Sequence, residues 1–280
     1  MQGIDSTGDF RLIHQSLNME DELKELCLVY GSYPILVQKL TVLSVQLPKA
    51  FVGGLLSAYN GLAIARKLHM DHEGKKTVFL ACLLHDIGML HIDPEIVKKQ
   101  GKYTPEDWRA MQAHTVIGQK VLANIPKLPA QVAQAVLEHH ERTDGAGYPR
   151  GAIGTQLSVE GQIVAISDAI FAIYSNRLRK QGIPFKEVMP IMQMSSTVHF
   201  YHVYEAWIQI IREAKLPDKR TTDDVEIPAL IDDLIKDFYF FLDLFKLADP
   251  LVKMFPKDHQ NYKQVNIAFN MTERLYTIIS

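Results

Sequence analysis

Cysteine is scarce: the chain of 280 residues holds two, Cys27 and Cys82. Two thiols cannot build a disulfide scaffold, and they fit a reducing compartment. An excess of one charge is also missing. Thirty Lys and Arg stand against 32 Asp and Glu, a formal net charge of −2, which removes the broad basic field that binders of nucleic-acid polymers rely on. No charge-free apolar run of membrane-spanning length is present. The most apolar stretch, 26–65, is cut by Lys39 and Lys49, and the uncharged stretch 188–204 carries Ser195, Ser196, Thr197, His199 and His202. Both read as buried helices of a soluble protein. The opening residues show no basic segment leading into an apolar one, so no secretory signal is expected and the protein is expected in the cytoplasm. Repeats, low-complexity segments and the strict alternation of a strand are absent too.

What remains is helical periodicity. Residues 75–87 read as a buried helix stopped by Gly88, a residue favoured at helix C-termini. Thr104-Pro105-Glu106-Asp107 is a strong helix start: Thr104 caps free N–H groups, Pro105 suits the first turn and Asp107 adds favourable charge. That helix is expected to run to about Asn124, and a second to begin near Ala130 and end at His139-His140. Residues 143–154 hold four glycines and a proline, so they form a loop. Residues 158–180 are helical again, with Asp168 on an otherwise apolar stretch. The tail beyond Thr221 alternates acidic and apolar groups, as an amphipathic helix does. The expected architecture is all-α, divided into an N-terminal helical segment (1–50), a core (51–212) and a C-terminal helical extension (213–280).

Eleven histidines stand out. His85-Asp86, His114, His139-His140 and Asp168 form an ordered set, distributed over helix ends and one helix interior. Imidazole and carboxylate without thiolate are the donors that borderline and hard transition metals prefer, which favours iron or manganese over a structural zinc site. A carboxylate in an apolar helix is costly unless it is paired or metal-bound. Several helices each offering inward ligands is how a helical bundle builds a dinuclear site.

The segments HDIG at 85–88, 92–108, His114, HHERTDGAGYP at 139–149 and Ser167-Asp168 closely resemble the HD-GYP family, over roughly residues 50–210. The resemblance implies an HD-domain helical bundle that hydrolyses the bacterial messenger cyclic di-GMP, through in-line attack of a metal-bound hydroxide. It implies His85, Asp86, His114, His139, His140 and Asp168 as ligands of one or two divalent metal ions, with Asp86 bridging. Asp86 and Arg177 are then the catalytic candidates, Arg177 through substrate phosphate. Gly147, Tyr148 and Pro149 form the signature loop, where Tyr148 either stacks on a guanine or packs the loop. Glu141, Arg142 and Asp144 are candidates to orient the ligands from behind.

The same resemblance exposes departures. Gly53 stands where the family supplies a further histidine, Lys49 where some members carry glutamate, and Met89 where a lysine contacts phosphate. Phe171 and Arg179 replace an aspartate and a tyrosine. The metal that shares His85, Asp86 and Asp168 is thus expected to lack one protein ligand, and the one with Asp86, His114, His139 and His140 to be complete. His72 reaches the site only if the loop around Gly74 folds back. A second reading is therefore a catalytically impaired adaptor that binds nucleotide or a signalling partner. The acidic, aromatic stretch 232–245 is the candidate homodimer contact.

Overall fold

The computed structural model describes residues 8–216 apart from 182 and 195–199. The amphipathic tail, the stretch 232–245 and most of the proposed C-terminal extension lie outside the described residues. Within them the chain is helical: α1 (Gly8–Leu17), α2 (Glu20–Gly31), α3 (Pro34–Gln46), α4 (Pro48–Lys67), α5 (His72–Leu84), α6 (Pro94–Val97), α7 (Pro105–Gln112), α8 (His114–Ala123), α9 (Ala130–Glu138), α10 (Val159–Ile173), α11 (Val188–Met194) and α12 (Tyr201–Glu213). A single bridge, Asp144 to Ile153, is the only strand-like pairing among the described residues.

Helices α4, α5, α9 and α10 form the centre, with α5 and α10 each packed against the other three. Their shared faces bury Leu62, Ile64, Leu80, Leu84, Val132, Val136, Ile163 and Ile166. Each such side chain contributes roughly 1.5–3 kcal/mol on leaving water. On one side α8 lies along α9 and the 3₁₀ turn Ile87–His91; on another, α12 covers α4 and α1 covers α12. The stretch 26–65, expected to be buried, is only partly so, since Leu28, Ile35 and Val45 are exposed. No single helix among the described residues is long and apolar enough to cross a membrane, and α2 and α3 are bent by 102° relative to each other.

The helix expected from Thr104 to Asn124 is two helices. Its start is as expected, with a reciprocal Thr104–Asp107 capping box and Pro105 in the first turn. It stops at Gln112, and α8 begins at His114. Helix α5 likewise ends at Leu84, earlier than Gly88. Gly88 is needed for another reason: a Cβ there would sit 2.0 Å from the His114 carbonyl oxygen and 2.7 Å from the Gly118 nitrogen. Its bare backbone lets α8 cross directly over the turn that follows His85-Asp86, and brings His114 to them.

Candidate metal centre

Three of the histidines are seated in the same way. His85, His114 and His139 follow closely the C-terminal ends of α5, α7 and α9. The last carbonyls of a helix have no intrahelical partner. Each ring uses one of them: Nδ1–H donates to the carbonyl three residues earlier, Cys82 at 2.8 Å, Met111 at 2.6 Å and Val136 at 2.6 Å. A carbonyl can only accept, so Nδ1 carries the hydrogen and Nε2 of the neutral ring offers a lone pair. The break between α7 and α8 has a use here, because ending the helix at Gln112 leaves the Met111 carbonyl available to His114.

The Nε2 atoms converge. Those of His114 and His139 lie 3.2 Å apart, and two lone pairs facing each other at that distance need a shared cation or proton. His114, His139 and His140 can each place a nitrogen within 4.8 Å of the others, and so can His85, Asp86 and His139 with their ligand atoms. His139 belongs to both groups, its ring 5.1 Å from that of His85 and 5.2 Å from that of His114. Asp86 spans them, one oxygen 3.2 Å from His85 Nε2 and the other 3.7 Å from His114 Nε2. Asp168, from the middle of α10, reaches His85 Nε2 at 3.5 Å. Four imidazoles and two carboxylates, from the ends of α5 and α9, the start of α8 and the middle of α10, are a donor set that could hold metal ions.

Charge divides the cluster. Burial pushes the His139 and His140 values down, His140 to about 3, and the neighbouring imidazoles push the same way. Burial would also lower His85, but the Asp86 and Asp168 carboxylates outweigh it and raise its value well above the ordinary 6.5. Burial opposes ionisation of Asp86, yet His85, His114 and His139 hold its carboxyl well below the usual range. Without a metal, His139 and His140 are neutral and His85 is a cation between two carboxylates.

The loop after α9 is held from beneath by two buried glutamates. Glu141 accepts from the backbone N–H of Arg150 at 2.8 Å and of Ala152 at 2.9 Å. Glu138 accepts from Gln134, the Arg150 guanidinium, and both the N–H and hydroxyl of Ser158. Arg142 pairs with Asp144, whose Oδ1 accepts from Ala146 N–H. Gly147 fits because a Cβ would come within 2.6 Å of the Glu141 and Arg142 backbone. The Tyr148 ring, joined to Pro149 by a cis peptide, lies 4.7 Å from that of His140. Burial and the Asp168 and Asp86 charges raise its phenol. Sequence reasoning pointed to Glu141, Arg142 and Asp144 but missed Glu138, Arg150 and Ser158. The available signal was a glutamate directly before a histidine pair at a helix end.

Other candidates lie elsewhere. Arg177 is exposed, on the π-helical turn Tyr174–Leu178 that continues α10. His72 does not fold back: it opens α5 and faces Glu25 at 3.7 Å. Lys49 is exposed in the first turn of α4. The position at Gly53 is occupied by a neighbour, since a Cβ there would meet the Phe171 ring at 3.2 Å.

A family model described as HD domain matches residues 44–201. A cyclic di-GMP phosphodiesterase of Thermotoga maritima is 34% identical over 166 residues, 58% of this chain and 44% of that protein. A 3'3'-cGAMP-specific phosphodiesterase of Vibrio cholerae is 35% identical over 132 residues, 46% of this chain and 28% of its own length. The chain thus spans less than half the length of these curated relatives. Among solved structures, an HDG"Y"P protein from Bdellovibrio bacteriovorus aligns at 20% identity with a TM-score of 0.49, over 58% of this chain and 52% of that one.

Proposed function

Because this chain belongs to the HD domain family and carries an HD-GYP-like domain, we propose that it is a metal-dependent phosphodiesterase acting on cyclic di-GMP. The observation that carries this reading is the convergence of imidazole nitrogens on Asp86, with His114 and His139 Nε2 3.2 Å apart. His85, Asp86, His114, His139, His140 and Asp168 would hold one or two divalent ions. Iron or manganese suits the donors, which include no thiolate. Such ions supply Lewis-acid charge and lower the pKa of a bound water.

The chain's own residues do the rest. Asp86, ionised and placed between the two histidine groups, keeps both positions in register. The helix-end carbonyls fix the ring orientations, so little reorganisation accompanies substrate binding. Glu141 and Glu138 hold the Gly147-Tyr148-Pro149 loop over His140, and Tyr148 closes one wall of the site. Arg177, on the exposed turn after α10, is the arginine we assign to substrate phosphate. A cytoplasmic messenger and a signalling partner are the surroundings this reading implies.

The test is hydrolysis by the purified chain, loaded with iron or manganese, of cyclic di-GMP, 3'3'-cGAMP and cyclic di-AMP. Preferred loss of cyclic di-GMP supports the reading, and all three nucleotides remaining intact at full metal loading contradicts it. A second reading, an adaptor that binds nucleotide without turnover, draws on one observation: the Phe171 ring fills the space beside Gly53. Tight binding of cyclic di-GMP without hydrolysis would favour it.

A further inference from the structure

Aromatic rings lead from the histidine cluster to the surface. Tyr148 lies 4.7 Å from His140, ring to ring, and 6.4 Å from His114. Trp108 stands edge-on to Tyr148 at 6.0 Å with an interplanar angle of 78°, and Tyr103 follows at 6.4 Å. Trp108 is 46% exposed and Tyr103 37%, whereas the other tryptophan, Trp207, is 0% exposed. A tryptophan places a large apolar face in water at a cost, and half-exposed aromatics concentrate where something else covers them.

Trp108 is also held in place. It belongs to the first turns of α7, whose start is fixed by Pro105, the Thr104–Asp107 capping box and the Lys99–Asp107 ion pair. The ring is therefore presented at the rim by a defined backbone, so ordering it on binding costs little. One tyrosine separates it from His140, much as a ribose separates phosphate from base in a nucleotide.

We propose that Trp108 is the base-stacking residue of the site, with a purine of the cyclic dinucleotide on its exposed surface while the phosphodiester lies over the histidine cluster. This rests on the phosphodiesterase reading for the identity of the ligand. Base–aromatic stacking tolerates any base because each has a π face, so Trp108 sets affinity for a nucleotide rather than the choice between guanine and adenine.

The test exploits the two tryptophans. The purified protein is titrated with a non-hydrolysable phosphorothioate analogue of cyclic di-GMP, and with inorganic phosphate, while tryptophan emission is followed. Saturable quenching by the analogue but not by phosphate is expected, and W108F should abolish it. In turnover of cyclic di-GMP, W108A should raise KM about ten-fold with kcat little changed, and W108F should recover most of the loss. Unquenched emission together with an unchanged KM in W108A overturns the proposal, while continuing turnover in that variant leaves the phosphodiesterase reading intact. If the wild-type protein hydrolyses nothing, the phosphodiesterase reading fails and quenching by the analogue still decides the role of Trp108.

Discussion

The two halves of the cluster share His139 but differ in what they hold without metal. His114, His139 and His140 form an imidazole group in which the Nε2 lone pairs of His114 and His139 face each other. Burial keeps His139 and His140 neutral. His85, Asp86 and Asp168 already hold a positive charge of their own, a cationic imidazole between two carboxylates. The first half holds no cation between its facing nitrogens and is ready for one; the second must release a proton to accept one. An imidazolium paired with carboxylates is satisfied when empty, whereas facing lone pairs are not. The imidazole half is therefore the one whose geometry most needs a metal.

Removing the residue common to both halves should break the comparison most completely. H139A is expected to lose metal from both positions and more than about 100-fold in turnover, since partners outside the ligands alone are worth about 10–100-fold. Metal analysis beside a rate measurement checks this. H85N should have a smaller effect, emptying the carboxylate half while His114, His139 and His140 keep their ion; equal metal loss in H85N and H139A would merge the halves into one unit. Smaller again is the loop support. E138A leaves the Ser158 and Arg150 donors without their acceptor, and should cost about 2 kcal/mol of stability with metal content preserved, read from denaturant midpoints.

The smallest effect expected is on the pH profile of the metal-free protein. Unfolded histidines titrate near the ordinary 6.5. Below that value the unfolded chain takes up protons that folded His139 and His140 refuse, so stability falls as pH drops from 6.5 toward about 3. Above it, folded His85 keeps a proton the unfolded chain has lost, and that contribution disappears as pH rises through its raised value. Denaturant midpoints in chelator should therefore peak near 6.5, and saturating metal should flatten the alkaline side by displacing the His85 proton. A profile that rises steadily above 6.5 would contradict the assignment of His85 as the protonated member.

Much of this was legible in the residues. Helical periodicity identified the all-α class, and the types and order of His85, Asp86, His114, His139, His140 and Asp168 marked out a cluster that the fold brings together. The seating of the rings was not legible, because it depends on which carbonyls a helix end leaves over. That depends in turn on a helix break at Ala113, which local propensity does not signal: Thr104 to Asn124 reads as one good helix, and the crossing of α8 over Gly88 is a tertiary matter. The Phe171 ring beside Gly53 joins residues far apart in the chain, so spacing could report the missing side chain at Gly53 but not what fills its place. Trp108 was hidden for the same reason, since its neighbour Tyr148 lies 40 positions along the chain.

The most direct measurement takes metal content and cyclic di-GMP turnover from one anaerobically purified sample. The account predicts at least one bound transition-metal ion per chain, and nucleotide loss that stops when the metal is chelated and returns when it is restored. Stoichiometric metal with cyclic di-GMP left untouched, or hydrolysis that survives removal of the metal, would contradict it.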